Sequence, residues 1–376
     1  MLTVNGAVMP PERKISPAGL LSQAGESPLG YPRRPVSADT IFLCLVALIL
    51  SACGCRQDAF TLRGEALGTF YTITVAAPPA CMSEERTREL TDATLDRVNT
   101  RMSTYRDDSE LSRFNQYDGQ APFHLSQESY KVFEIARTIS EQSGGAFDVT
   151  VGPLVNAWGF GPAALTNPPD DAKVKELLER TGYEKLTLLP ENTLTKSRPD
   201  VYCDLSAIAK GYAVDAVAEA FEKAGIHRYM IEVGGEIRVA GKNKHDLPWT
   251  LGIEAPKPEV RELYAAVHLE QGALATSGDY RNMYEYEGRI VSHTIDPHTG
   301  YPVHHTLASA SVIHPSCTWA DGYATALMAL GPEKAKEFAL KHELAVMLLI
   351  HNPGSGGFTE FSTPQFDACR TEMPKQ

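Results

Sequence analysis

Asp321 and Thr325 stand four residues apart in TWADGYATALMALG, Thr318–Gly331, where a helical period puts a carboxylate and a hydroxyl on one face. Two hard oxygen ligands on a face otherwise short of charge suit Mg²⁺, which takes few protein ligands and fills its shell with phosphate and water. The plain alternative is a solvated Asp beside a Thr bonded back to its own helix. A second string, DLSAIAKGYAVD, spaces Asp204, Ala207 and Lys210 at i, i+3 and i+6. At a helix start Asp204 can accept backbone N–H groups as a cap. Lys210 lies among Ile208, Ala209 and Gly211, which argues against an ordinary surface charge. In SHTIDPHTGYP, Ser292–Pro302, His293 is the best general-base candidate, because its ordinary pKa lies nearest neutrality. Asp296 either orients it or serves instead. Five His fall between 293 and 314, but their spacings match no usual zinc motif. In Gly144-Gly145-Ala146-Phe147-Asp148 the glycines let backbone amides approach a ligand closely, and Gly144 can also close the preceding helix. Gly234-Gly235-Glu236 reads as a turn into a strand lining the site, with Glu236 structural.

The elements that must hold these residues follow from periodicity. Tyr71, Ile73 and Val75 alternate with Thr72 and Thr74, the pattern of a half-buried strand. Ser83–Met102 carries Glu84 and Glu85 in a first turn and Leu90, Val98 and Met102 at helical spacing. Val132, Ile135, Ala136 and Ile139 predict a second helix, ended by Gly144-Gly145, and Asp171–Thr181 a short one. A third long helix is expected over Leu205–Ala224, closed by Gly225, with others over Trp319–Leu330 and Pro332–His342. Strands are expected at Tyr229–Val233, Glu236–Ala240, Trp249–Glu254, Tyr264–Leu269, Ala310–His314 and Ala345–Ile350. Strands that cluster between helices, with hairpin spacing at Gly234-Gly235 and Gly241, predict an α+β fold of mixed or antiparallel sheets with packed helices. Without a Walker motif or a GxGxxG after a strand, P-loop and Rossmann phosphate binding are disfavoured.

The net charge of −12, from 35 basic and 47 acidic residues, argues against nucleic acid as a partner. It also means that an anionic dinucleotide needs a metal ion or a placed Lys to bind. Residues 1–40 read as disordered, or as an over-long gene start. Arg33 and Arg34 precede the apolar run Ile41–Leu50, too short to span a bilayer and fitting for a signal peptide. It ends in Leu50-Ser51-Ala52-Cys53, which resembles the bacterial lipobox, whose Cys is lipidated and becomes the new N-terminus. Gly54 rather than Asp after it favours the outer over the inner membrane. This gives an extension and lipoprotein signal over 1–52, an anchor linker over 53–60, one folded domain over 61–355 and a tail over 356–376. Cys55, Cys81, Cys203, Cys317 and Cys369 show no CxxC or zinc spacing, and Cys203 and Cys317 are expected as buried free thiols.

These strings, together with GEALGTFYTI (Gly64–Ile73), MSTYRDDSELSRFN (Met102–Asn115) and GGAFDVTVGPLVNAWGFG (Gly144–Gly161), resemble in linear order the ApbE family of FAD:protein FMN transferases. The resemblance covers about residues 60–350. It implies an ApbE-like fold, Mg²⁺ as cofactor and FAD as substrate. It implies metal ligation by Asp321, Thr325 and the backbone carbonyl of Ala207. Flavin or FAD contacts fall on Leu67, Tyr105, Ala146, Phe147, Asp148, Asp204, Lys210 and Ile295. Leu67 stands where the family usually has Met, a change that keeps volume and apolarity. The Tyr105 ring suits stacking on a planar ring, and Lys210 suits a pyrophosphate on which charge builds during transfer. The implied reaction is attack by a Thr or Ser hydroxyl of a partner on the FMN-side phosphorus of FAD, releasing AMP, with His293 or Asp296 taking the proton. The implied acceptors are subunits of membrane redox complexes bearing an S/T-G-A-S/T motif, met by a lipid-anchored enzyme in the bacterial periplasm. The same residues also suit two alternatives: an FAD pyrophosphatase using water, and a flavin-binding lipoprotein without turnover.

Overall fold

Tyr71, Ile73 and Val75 are all buried along one face of the strand Thr69–Val75, as a period of two requires. The computed structural model of the chain describes residues 58–161, 167–257, 262–279, 283–286, 289–352, 354 and 356–372. The expected leader, the lipobox and Cys53 lie outside the described residues.

Eight strands form the central sheet. Their order is Phe60–Ala66, Thr69–Val75, Tyr229–Val233, Glu236–Ala240, Gln271–Gly278, Leu307–His314, Ala345–His351 and Phe358–Ser362. Every neighbouring pair is antiparallel. The strands Gln271–Gly278, Leu307–His314 and Ala345–His351 are buried on both faces. In Ala345–His351, Val346 and Leu348 join the core shared with the helices, while Met347 and Leu349 join a second core with Trp249, Leu251, Ile253 and Val267. That second core lies under a three-stranded antiparallel sheet of Trp249–Glu254, Leu263–Leu269 and Arg370–Thr371. A strand buried on both sides reads as an unbroken apolar run. Each fully buried Val or Leu here contributes about 1.5–3 kcal/mol of transfer free energy.

The helix Glu84–Met102 starts at Ser83, whose side chain accepts from Arg86 N, and Gln127–Gln142 starts at Ser126, which accepts from Ser129 N. Two further helices, Ala209–Lys223 and Cys317–Leu330, cross on the sheet and carry Lys210 and Asp321. A Cβ at Gly211 would lie 2.4 Å from the Cys317 carbonyl oxygen and 2.7 Å from Asp321 Cβ, so only glycine permits this crossing.

The α+β expectation holds, with antiparallel pairing throughout the central sheet. The first of these crossing helices starts later than the expected Leu205. Asp204 Oδ1 accepts from Ser206 N and Oγ, and Ile208, at φ −149°, is not helical, so residues 205–208 form a turn. The periodicity reading also missed Gln271–Gly278, whose Gly, Ala and Ser content gives no strong strand signal. The segment expected as a tail supplies the edge strand Phe358–Ser362 and the fully buried Phe366. Cys203 and Cys317 are buried free thiols, and Cys81 and Cys369 are also unpaired.

Candidate active site

A cleft of about 1560 Å³ opens where the two crossing helices meet the Leu67–Gly68 turn, the 102–106 segment, the 146–148 turn and the 293–297 segment. It is larger than the roughly 300–1,000 Å³ of a common small-molecule site.

Charge is concentrated at the helix crossing. The Asp321 carboxylate is 2% exposed; its Oδ2 accepts from the backbone N–H of Gly211 at 2.8 Å. Its Oδ1 lies 4.0 Å from Lys210 Nζ. Burial pushes the Asp321 pKa up, against the pull of Lys210 and the Gly211 N–H. Lys210 Nζ donates to Glu236 Oε1 at 2.5 Å. Burial lowers the Lys210 pKa, but Asp321 and Glu236 outweigh it, so the ammonium persists. Glu236 is 2% exposed, and its Oε2 has no hydrogen-bond partner. Burial pushes its pKa up, against the attraction of Lys210.

One helical turn beyond Asp321, Thr325 Oγ1 lies 3.4 Å from the Ala207 carbonyl oxygen and 3.4 Å from Ser277 Oγ. Both contacts sit at the outer limit of a hydrogen bond, which leaves the Thr325 oxygen available. The expected metal set of Asp321, Thr325 and the Ala207 carbonyl is therefore gathered in one place. One carboxylate, one hydroxyl and one carbonyl are hard donors, and they fit Mg²⁺ better than a soft-ligand metal. Among the described residues no three His, Cys, Asp or Glu side chains form a metal-binding group.

The expected flavin residues line the same cleft: Leu67, Tyr105, Ala146, Phe147, Asp148, Asp204, Lys210 and Ile295. Tyr105 is 68% exposed, a free aromatic face, whereas Phe147 is buried in the main core and shapes the wall. Gly144 and Gly145 have φ of +63° and +87°, so they close the Gln127–Gln142 helix and turn the chain toward the cleft. Asp148 pins that turn. Its Oδ1 accepts from Thr150 N and Oγ1, each at 2.7 Å, and its Oδ2 from Tyr183 N at 2.7 Å. Burial raises its pKa against those bonds.

The two general-base candidates are separated. His293 lines the cleft, its ring edge-on to Phe160 at 6.1 Å. Asp296 is not among the lining residues. Its Oδ1 accepts from His298 N at 3.0 Å and its Oδ2 from Thr299 Oγ1 at 3.0 Å, so it braces the 296–300 turn. Two polar cleft residues, Ser277 and Glu236, lie outside the expected site set. Ser277 is the penultimate residue of Gln271–Gly278, a strand that periodicity does not reveal, and Glu236 is expected as structural. The signal for Glu236 was a carboxylate directly after a Gly-Gly turn, beginning a strand buried against an apolar helix.

The family model described as ApbE family matches residues 67–348. A curated sequence from Vibrio cholerae named FAD:protein FMN transferase is 40% identical over 328 residues, 86% of this chain and 97% of its own length. Another of that name from Haemophilus influenzae is 42% identical over 335 residues, covering 87% and 96%. The solved flavin transferase ApbE from Vibrio cholerae superposes with a TM-score of 0.76 at 39% identity, over 83% of this chain and 99% of that one. The apo flavinyl transferase ApbE from Pseudomonas stutzeri gives 0.76 at 32% identity, over 84% and 97%.

Proposed function

This chain belongs to the ApbE family, and from that premise we propose that its cleft transfers the FMN part of FAD to a Thr or Ser hydroxyl of a partner protein, releasing AMP, with Mg²⁺ held by Asp321, Thr325 and the Ala207 carbonyl. That it is an FAD:protein FMN transferase follows from its likeness to relatives of that name along nearly their whole length.

The observation that carries the finer reading is the meeting of Asp321, Lys210, Glu236, Thr325 and the Ala207 carbonyl in one cleft with the aromatic face of Tyr105. Phosphoryl transfer asks little covalent chemistry of a protein; it asks for positioning and charge neutralisation. Bound Mg²⁺ would supply Lewis-acid stabilisation of the phosphate oxygens. The acceptor hydroxyl oxygen forms the new P–O bond to the FMN-side phosphorus. The bond from that phosphorus to the bridging oxygen breaks, and AMP leaves with the oxygen and its electron pair. His293 takes the hydroxyl proton. Lys210, held by Glu236, offsets negative charge on the phosphates. Tyr105 and Leu67 hold the isoalloxazine. The 146–148 turn and Asp204 complete the dinucleotide site.

The S/T-G-A-S/T type of acceptor, in a membrane redox complex, belongs to the same proposal. So does a lipid anchor at Cys53 that holds the enzyme at the periplasmic face of a membrane, the outer in preference to the inner. Among the described residues no helix is long and apolar enough to cross a membrane.

The test is intact mass spectrometry of an acceptor domain bearing S/T-G-A-S/T, incubated with the enzyme, FAD and Mg²⁺. The expected result is a gain of one FMN less water, abolished by EDTA. Free FMN and AMP with an unmodified acceptor would make the protein a pyrophosphatase. FAD retained intact would make it a flavin carrier.

A further inference from the structure

Beneath the reactive cluster lies a second buried cluster built from the same three elements. The Ala209–Lys223 helix contributes Lys210 to the first and Asp215 to the second. The Glu236–Ala240 strand contributes Glu236 and, two residues on and so on the same face, Arg238. The Cys317–Leu330 helix contributes Asp321 to the first and its opening residues to the second.

Asp215 is 4% exposed and is the centre of this second cluster. Its Oδ1 accepts from Arg238 Nη1 at 2.7 Å and from Cys317 N at 3.0 Å. Its Oδ2 accepts from Ser316 Oγ at 2.6 Å, Thr318 N at 2.9 Å and Thr318 Oγ1 at 2.7 Å. The first N–H groups of a helix have no partner inside it and need an acceptor from outside. An N-cap side chain commonly provides one. Here Ser316 stands at the N-cap position, but its side chain makes no capping bond to its own helix; its hydroxyl donates to Asp215 instead. The cap comes from another helix, and it brings a full negative charge to the positive end of the helix dipole.

Resting on the reading of Asp321 and Thr325 as metal ligands, we infer that Asp215 is a positioning residue for the metal site: by capping the Cys317–Leu330 helix from the neighbouring helix, it fixes the rotation and register that bring Asp321 and Thr325 to the Ala207 carbonyl. A helix advances about 1.5 Å per residue, while metal–ligand distances tolerate only about 0.2 Å. Asp321 is three residues from Thr318, less than one turn from the cap. Fraying of that first turn displaces Asp321 by more than a metal site allows. The Gly211 N–H bond and the Lys210 charge hold the carboxylate to the helix crossing; Asp215 holds the helix that carries it.

The experiment is a calorimetric titration of Mn²⁺, as a stand-in for Mg²⁺, into the full chain without FAD, on wild type, Asp215→Asn and Asp321→Ala, with Tm measured for each. Asn keeps the shape of Asp215 but removes its charge and replaces one acceptor oxygen by a donor. The expected result is a metal Kd weakened about 10–100-fold in Asp215→Asn, with kcat for FMN transfer regained at saturating Mg²⁺. A lowered Tm with unchanged metal Kd would make Asp215 a fold-stabilising residue only and overturn the inference. An unchanged metal Kd in Asp321→Ala would remove the metal reading itself, and the inference with it. If Asp215→Asn does not fold, Ser316→Ala removes a single donor from the carboxylate. A metal Kd weakened about tenfold, the lower end for one hydrogen bond to a charged group, then supports the inference, and an unchanged Kd overturns it.

Discussion

The backbone N–H of Gly211 donates to Asp321 Oδ2 over 2.8 Å, so the carboxylate proposed to hold the metal is oriented by the main chain of the helix that carries Lys210. Such a bond to a buried carboxylate is stronger than a neutral one. It forms only because no side chain separates the two helices at that point.

Gly211→Ala tests that crossing. Its Cβ would meet the Cys317 carbonyl oxygen at 2.4 Å and Asp321 Cβ at 2.7 Å, both on a helix packed against its neighbour and the central sheet. Overpacking of this kind costs about 1–3 kcal/mol. The expected outcome is a lower Tm together with loss of metal binding and of transfer. A variant with wild-type Tm and metal affinity would show that the helices part without consequence.

Glu236→Gln tests how Lys210 is held. Glu236 Oε1 takes the Lys210 ammonium at 2.5 Å, while Oε2 is buried without a partner. The amide keeps an acceptor for Lys210 but loses the charge that holds it. With Asp321 Oδ1 only 4.0 Å away, Lys210 is expected to shift toward that carboxylate and compete with the metal. FMN transfer should fall about tenfold, the scale of a lost partner around a metal site, and higher Mg²⁺ should partly restore it. Full activity at low Mg²⁺ would show that Glu236 has no part in placing Lys210.

The sequence made the fold class and most of the cleft readable because their signals are local. Strands such as Tyr229–Val233 and helices such as Glu84–Met102 announce themselves through period and caps. The spacing of Asp321 and Thr325 puts them on one helical face, and the resemblance to the ApbE family is what marks them as metal ligands. What it hid depends on distant neighbours. Nothing near Glu236 or Ser277 says which buried groups they will face, and nothing near Asp215 says that it caps a helix more than 100 residues later, at Thr318. The start of the Ala209–Lys223 helix was misplaced because Ser206 offers Asp204 a local bond that competes with the helix. Asp296 looked like a base beside His293, yet residues 298 and 299 supply the donors that occupy it.

Leu67 carries strain that a substitution can relieve. Ala66 pairs with Thr69, so Leu67 and Gly68 form a two-residue hairpin turn with φ of +55° and +71°. Such turns favour Asn-Gly, and a left-handed conformation costs an ordinary residue about 1 kcal/mol. Leu67→Asn should therefore raise Tm by about 2 °C. It should also weaken FAD binding about tenfold, because the apolar side chain lining the cleft is lost. A higher Tm with unchanged FAD affinity would remove Leu67 from the flavin contacts, and an unchanged Tm would remove the strain.

His314 makes stability depend on pH. The His314 Nδ1 lies 3.0 Å from Ser316 N and 3.2 Å from the Ser316 carbonyl oxygen, accepting from the first when neutral at Nδ1 and donating to the second when protonated, and Trp319 and Tyr323 flank the ring at 6.0 and 6.1 Å. Burial pushes its pKa below the ordinary histidine value, against the smaller opposing effects of the Ser316 backbone and the Asp215 charge. The folded chain then keeps His314 neutral at a pH where the unfolded chain takes up a proton. The unfolded state binds more protons in that window, so stability rises with pH across it. The contribution is complete above about pH 6.5, the unfolded value, and is lost as pH falls through the folded value. His342, also pushed down by burial and by Lys341, acts in the same direction. His314→Asn keeps an acceptor for Ser316 N but does not titrate there. The expected outcome is a wild-type Tm that falls between pH 7.5 and pH 5.5 and a smaller fall in the variant. Protonation would also break the Ser316 N bond beside the Asp215 cap, so wild type should lose metal affinity with acidification faster than the variant does. Equal falls in Tm for the two proteins would mean that His314 is protonated as readily in the fold as out of it.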